Sequence, residues 1–380
     1  MKILHVITGL GLGGAEAMLA KLVGASNDAR HVVVSLSGHG AIALEIEHAG
    51  GLVYHLRVDN FSRAPAGLRR LCAIVRHERP DIIQGWLNHG NLFAALAKLT
   101  AGSEAPLTYN VRQSLLGMRF EKWHTRQVIR IAGRLSPLTS AIIYNSNTGA
   151  TDHESIGYDS TKRRYVPNGF DTNRFYPDAT RRSATRADLG IGEDDIVVGL
   201  IARFDPWKNH ESFFSAASEI LKVEPAVRFL LAGEGMIAEN EALAALIKDP
   251  QVRERTLLIG PRYDMPDIHR VLDIACNVSH GEGFPNAIGE AMATAVPCVV
   301  TDVGDMREIL GDAGIVCEKS PAAMVKGILE LIQVDGQRRL FLGSRARQRI
   351  EANYSLPAIV SRYEAIYQQL IDEQKSRARR

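Results

Sequence analysis

Residues 279–305, SHGEGFPNAIGEAMATAVPCVVTDVGD, contain the pattern from which the rest of the chain is most easily read. Glu282 and Glu290 stand eight apart, and Pro285 between them suits the first position of a helix. This predicts Glu282 in a loop, Glu290 on the second helical turn, and a following buried strand in VPCVV. One carboxylate then lies on each side of a helix N-terminus, whose free N–H groups and positive dipole end suit an anion. Carboxylates accept hydrogen bonds from hydroxyls, while backbone donors hold phosphate oxygens. A ligand with hydroxylated rings at both ends of a diphosphate, such as a nucleotide sugar, meets both demands. Two alternatives stay open: glutamates on an exposed helix face, and the acid and nucleophile of a glycoside hydrolase. Gly283 and Pro285 weigh against the hydrolase, because they build an anion-receiving helix start that a glycosidase does not need.

Outward from this stretch, short apolar runs alternate with longer amphipathic ones, the signature of βα repetition and parallel sheets. KILHVIT, HVVVSL, DIIQGW, PLTYNV and AIIYNS form a first series; DIVVGLIARF, VRFLLAG, RTLLIG, DIACNVS and VPCVVTD form a second. Between them, VPNGFDTNRFYPDATRRSATR is rich in turn formers and charge. The expected division is a Rossmann-like domain over 1–167, a linker over 168–190, a second Rossmann-like domain over 191–355, and a helix over 356–380 returning to the first domain. At 380 residues the chain exceeds what one core usually serves. A net charge of +2 gives no global argument for nucleic acid. Cys72, Cys276, Cys298 and Cys317 stand far apart with no C-x-x-C pair and read as small core residues of a reduced, cytoplasmic protein. No apolar run is long enough to span a bilayer, and the apolar N-terminus is broken by glycines and Glu16 in the manner of a folded strand and turn rather than a signal peptide.

That N-terminal segment, HVITGLGLGGAEAML, matches G-x-G-x-x-G at Gly9, Gly11 and Gly14. A dinucleotide site also wants an acidic residue at the end of the second strand to hold ribose hydroxyls. After HVVVSL come Ser37, Gly38, His39 and Gly40, with no carboxylate. Gly13 and Gly14 are therefore expected to face a ligand at a helix start, with a nicotinamide-dependent oxidoreductase as the alternative and a merely packed turn as the simpler possibility. In LIARFDPWKNHESFF, Arg203 and Lys208 fall in the loop after the first strand of the second domain, at the sheet edge where α/β ligands collect. They would stabilise the charge on a leaving nucleoside diphosphate, unless they are simply solvated surface cations.

GLGLGGAEAML, VPNGFDTNRFYPD, ARFDPWKNH, GEGFPNAIGEAMA and VPCVVTDVGD together resemble the retaining glycosyltransferases of family 4, across essentially the whole chain. The resemblance implies the GT-B fold, an α/β architecture of two doubly wound Rossmann-like domains facing across a cleft. Glu282 and Glu290 match that family's E-x7-E element, implying contacts to donor sugar hydroxyls and to the nucleoside ribose. Gly283, Phe284, Asn286 and Ala287 would bring backbone donors near sugar and phosphate. Arg203 and Lys208 match its diphosphate-binding pair, Gly13 and Gly14 its glycine loop closing over the donor, and Arg262 its loop near the base. Many members carry a histidine after the fifth N-terminal strand; PLTYNVRQSL has Asn110, Val111 and Arg112 there, so Arg112, or His89 in GWLNHGN, is expected to take that place. Ala295 stands where a glycine is usual, with an expected consequence limited to local packing.

No D-x-D element or metal-ligand cluster is evident, so no metal and no cofactor is expected, with a UDP-sugar favoured as donor substrate. The implied reaction moves a hexose-type sugar to a hydroxyl of a glycan or polyprenyl-linked acceptor, in exopolysaccharide or surface-glycan synthesis. A catalytically silent nucleotide-sugar-binding protein is a further alternative. In RFEKWHTRQVIRIAGRL, Arg119, Lys122, Arg126, Arg130 and Arg134 recur at three and four, with Phe120, Val128, Ile131 and Leu135 expected on the other face. Such a helix is either a solvated face or a rest for anionic headgroups on the cytoplasmic side of a membrane.

Overall fold

The computed structural model describes the chain except residues 12, 27, 59, 116–121, 379 and 380. It divides into two compact units, Met1–Gly169 with Leu356–Arg380, and Phe170–Ser355. The first unit holds a sheet of strands β1 (Lys2–Ile7), β2 (Arg30–Ser35), β3 (Leu52–His55), β4 (Ile82–Trp86), β5 (Leu107–Val111), β6 (Ala141–Tyr144) and β7 (Arg163–Tyr165). Their order is 3-2-1-4-5-6-7, all parallel. The second unit holds β8 (Val197–Ile201), β9 (Arg228–Ala232), β10 (Thr256–Leu258), β11 (Ile274–Asn277), β12 (Cys298–Thr301) and β13 (Gly314–Cys317). These run 10-9-8-11-12-13, again all parallel.

Both are doubly wound sheets, with the order reversing between β1 and β4 in one and between β8 and β11 in the other. Central strands such as β4 and β5 are buried along their whole length because helices cover both faces, which is why they read as unbroken apolar runs. β3, β7 and β13 escaped the sequence reading; each is a short edge strand, mostly half-exposed. The basic helix forms as Trp123–Leu135; Val128 is buried in it, but Ile131, expected on the same face, is 42% exposed, and Arg119 and Phe120 lie outside the described residues.

Residues 168–190, read as a linker, include the helix Ala179–Asp188, which groups with the second unit. Arg186 of that helix is fully buried: its Nη1 reaches Asp273 Oδ2 at 3.3 Å and Val271 O at 3.0 Å, and its Nη2 donates to Gly192 O at 2.6 Å. Arg182 adds a 2.8 Å pair to Asp273 Oδ1. The chain enters this unit at Phe170 and leaves at Ser355, and the two positions pair as a parallel bridge, with Phe170 N–H donating to Tyr354 O at 2.9 Å.

The C-terminal helix Leu356–Ala378 groups with the first unit. Ile359, Val360, Tyr363, Tyr367, Leu370 and Ile371 join the same apolar cluster as Ile3, Ile7 and Trp86. Its two tyrosine hydroxyls also satisfy buried polar atoms, Tyr367 donating to Gln84 Oε1 at 2.6 Å and Tyr363 accepting from Asn110 Nδ2 at 2.9 Å. All four cysteines are free and buried. No described helix is long and apolar enough to cross a membrane.

Candidate active site

In the second unit the E-x7-E stretch folds as a loop and then the helix Asn286–Ala293. Pro285 is the N-cap, one place earlier than the first helical position expected for it. The first i to i−4 bond runs from Gly289 N–H to Pro285 O at 3.1 Å, so the Ala287 and Ile288 N–H groups of the first turn have no acceptor within the helix. Glu290 lies on the second turn, with Oε2 3.4 Å from Nε2 of the buried His269.

Glu282 is 9% exposed, and three donors converge on its Oε1: Lys208 Nζ at 2.6 Å, Ser279 Oγ at 2.6 Å and Asn277 Nδ2 at 3.0 Å. Asn277 ends β11 and Ser279 follows it, so the sheet's carboxyl edge fixes the carboxylate, and the carboxylate fixes the lysine. Gly304 closes the arrangement from below: φ is +53°, and a Cβ there would sit 2.6 Å from Glu282 O.

Arg203 and Lys208 both follow β8, as expected. Arg203 is 66% exposed and turns its fork onto Asp205 Oδ2, Nε at 3.1 Å and Nη2 at 2.9 Å. Burial works against the charge of Asp205, but the Trp207 N–H, Arg203 and Lys208 overcome it and hold the carboxyl below its ordinary value. Glycines the sequence reading passed over shape this loop. Gly233 (φ +140°) and Gly235 (φ +78°), after β9, lie against Ala202 to Phe204, where Phe204 N–H donates to Glu234 O at 2.7 Å.

Arg262 pairs with Asp264, Nε to Oδ1 at 2.8 Å. Phe284 sends its ring into the core, stacked on Phe170 with centroids 6.1 Å apart, so only its backbone is placed for a ligand. Gly289 lets the helix sit directly on the Phe170 ring. Gly283, Asn286 and Ala287 are half-buried around the helix start.

In the first unit Gly13 is the N-cap and Gly14 the first residue of the helix Gly14–Ala25. The Glu16 carboxylate folds back against Gly13, near enough that a side chain there would meet it. Burial pushes the Glu16 carboxyl up, opposed by its own backbone N–H and by the Arg112 guanidinium. The Glu16 carboxyl thus lies beside the same helix start at which Gly13 and Gly14 were expected to meet a ligand.

Arg112 follows β5, 8% exposed, stacked over Trp86 at 5.4 Å and bonded to Tyr363 OH at 3.0 Å, Asn110 Oδ1 at 3.2 Å and Asn168. Its buried Nε takes no hydrogen bond. His89 sits half-buried in the first turn of the helix Leu87–Ala101, whose entry places Leu87 at φ +60°. Among the described residues no group of three or more histidine, cysteine or acidic side chains could hold a metal ion.

The described family Glycosyltransferase Family 4 matches residues 12–174, and Glycosyl transferases group 1 matches residues 195–334. The chain is 28% identical over 193 residues to N-acetyl-alpha-D-glucosaminyl L-malate synthase of Bacillus anthracis, covering 50% of each protein. It is 31% identical over 147 residues to UDP-Gal:alpha-D-GlcNAc-diphosphoundecaprenol alpha-1,3-galactosyltransferase of Escherichia coli, covering 38% of each. The aligned stretches thus span half or less of these two relatives. Anabaena HepE, solved in complex with UDP, superposes with a TM-score of 0.84 at 23% identity, covering 97% of this chain and 100% of that one. At that identity the likeness concerns the fold alone. With one family match on each doubly wound unit, the chain belongs to the family 4, group 1 glycosyltransferases and has the GT-B fold.

Proposed function

We propose that the protein is a retaining, metal-independent hexosyltransferase that moves a sugar from a nucleoside-diphosphate sugar, UDP-linked by preference, to a hydroxyl of a glycan or polyprenyl-linked acceptor. The observation that carries this is the Lys208 ammonium, seated on Glu282 at 2.6 Å just ahead of the helix bearing Glu290. An ammonium has three donors, so two remain for phosphate oxygens while Glu282 keeps the third. Arg203 would add a second cation on releasing Asp205, and the first-turn N–H groups of Ala287 and Ile288 would complete a cradle for the departing diphosphate. With those charges supplied by side chains and a helix end, the reaction needs positioning more than covalent help, and the acceptor hydroxyl attacks on the face the diphosphate leaves.

The HepE complexes with UDP and with UDP-glucose support the choice of base, and the Escherichia coli relative's diphosphoundecaprenol acceptor supports a lipid-linked one in surface-glycan assembly at the cytoplasmic membrane face. The oxidoreductase alternative is disfavoured by the Glu16 carboxylate on the glycine turn and the absence of an acid after β2.

Calorimetric titration with UDP, GDP and ADP, each with and without EDTA, tests this. UDP is expected to bind tightest, with no effect of chelation, and Lys208→Ala to cost about 100-fold or more in turnover of the UDP-sugar that is used. Binding of no nucleotide, or unchanged behaviour of Lys208→Ala, would sink the assignment. A dependence on divalent cation would overturn metal independence, and an inverted anomer in the product would overturn retention.

A further inference from the structure

His269 stands in the last turn of the helix Met265–Arg270 and is fully buried. Neither of its ring nitrogens makes a hydrogen bond of ordinary geometry. The polar group it does meet is the Glu290 carboxylate, with Oε2 3.4 Å from Nε2 and so within ion-pair range. The imidazole packs against Phe175, ring centroids 6.0 Å apart and planes at 64°. Phe175 is buried in turn, and Arg347 Nη1 donates to its carbonyl at 2.9 Å and to that of Ala293, the last residue of the Glu290 helix, at 2.5 Å. The histidine therefore sits in a packed frame tied to the same helix as the carboxylate it meets. Arg270, next in the chain, does not compete for that carboxylate, since its guanidinium goes to Asp267 Oδ1, Tyr176 O and Arg174 O.

A buried imidazole without a hydrogen bond is costly, and a leucine would fill the place with no polar atom to satisfy. What the histidine offers that leucine cannot is a donor to a carboxylate. The Glu290 backbone is already held: Thr294 Oγ1 donates to its carbonyl at 2.6 Å, and Gly289 seats the helix on the Phe170 ring. Its flexible side chain is 20% exposed, and among the described residues His269 is the basic group that it meets.

We propose that His269 is a positioning residue, which holds Oε2 of Glu290 so that Oε1 faces the ligand and accepts ribose hydroxyls. The histidine is thereby a determinant of selectivity for ribonucleotides over their deoxy counterparts. This rests on the nucleotide-sugar reading of the site, in which Glu290 meets the ribose. A carboxylate already held in one orientation loses less freedom on binding, and the pair, loose at 3.4 Å, tightens once a ribose orders it.

Calorimetric titration of the full chain with UDP and with 2′,3′-dideoxy-UDP, which lacks the ribose hydroxyls, tests this. The unsubstituted protein is expected to bind UDP about 10- to 100-fold tighter than the dideoxy form, the range of a hydrogen bond to a charged group. His269→Leu should lower UDP affinity about fivefold to tenfold and leave the affinity for dideoxy-UDP within about twofold. His269→Gln, which keeps a donor, should recover most of the loss. In Glu290→Ala the preference for UDP should vanish, and adding His269→Leu should change nothing further, because the histidine acts only through that carboxylate. Equal losses for both ligands in His269→Leu would mark a packing role and overturn the proposal. So would a preference for UDP that survives His269→Leu but not Glu290→Ala, or a protein that binds UDP and dideoxy-UDP alike. A protein that binds neither removes the nucleotide-sugar reading itself, and this proposal with it.

Discussion

Ala295→Gly should stabilise the second unit, although it adds no contact. The helix Asn286–Ala293 ends with Val296 N–H donating to Ala291 O at 2.9 Å and Ala295 N–H to Met292 O at 3.0 Å, the paired bonds of a Schellman cap. The position between them must be left-handed, and Ala295 occupies it at φ +61°. A residue with a Cβ gives up about 1–2 kcal/mol there. Glycine removes that strain but loses about 0.4–1 kcal/mol through the greater freedom of its unfolded chain. The net expectation is a gain of about 0.5–1 kcal/mol, or about 1–4 °C in Tm for a unit of this size. Urea unfolding should show the midpoint rising with an unchanged slope. UDP affinity should stay where it is, because the change is at the far end of the helix from Ala287 and Ile288. Ala295→Val should move the midpoint the other way, since β-branching makes the left-handed region still less accessible. A neutral or destabilising Ala295→Gly would refute the reasoning, and with it the claim that the cap carries strain.

Gly304→Ala should cost about 1–3 kcal/mol and weaken nucleotide binding as well, because the new Cβ would press on the Glu282 backbone that carries the Lys208 anchor; a variant that loses stability but binds UDP normally would separate the two roles. Arg186→Met should cost about 3–5 kcal/mol in the second unit, leaving Asp273 and several carbonyls without their buried partner, and a change under 1 kcal/mol would count against the staple. Acid should destabilise both units. Burial first, then a nearby positive group for His31 and His210, holds His31, His153 and His210 down to about 4. Between about pH 6.5 and pH 4 the unfolded chain therefore binds more protons than the folded one, and stability falls by up to about 1.4 kcal/mol per pH unit for each histidine. Urea midpoints that stay flat from pH 7 to about pH 5 would contradict this.

The strands that could be read from sequence are mostly those buried on both faces, the half-exposed edge strand β10 being the exception, and the ones missed are all edges. β4 is IIQGW, buried along its whole length. β7 is RRY, half-exposed throughout, and nothing in those three letters announces a strand; it exists because β6 offers an edge at that place. The stretch over 168–190 was read as a linker because it lacks periodic apolar residues. Its helix is held by Arg182 and Arg186 reaching Asp273, and a charge-based seam of this kind leaves no hydrophobic period to find. Ala295 shows the converse limit. Its departure from glycine was visible, but its cost was not, because a φ angle is a property of the closed cap and not of the residue.

The two carboxylates were legible as a pair, and the structure separates their circumstances. Glu290 is one-fifth exposed on its helix, open enough to accept a hydroxyl. Glu282 has its Oε1 committed to Ser279, Asn277 and Lys208 at once. Residue type alone could not show this, because an aspartate or glutamate ahead of a helix serves equally as a ligand group or as an anchor. What tips the balance is that Asn277 and Ser279 arrive from the end of β11, a position set by sheet register with Cys276 opposite Val299 and Asn277 opposite Val300. The same holds at the glycine turn, where the spacing points to an anion at the helix start and the Glu16 carboxyl, two residues into the helix, lies against Gly13. In both places a spacing pattern marked a candidate site, and the neighbours that engage its carboxylates, from Ser279 three residues from Glu282 to Lys208 seventy-four residues away, are set by the fold and not by the pattern.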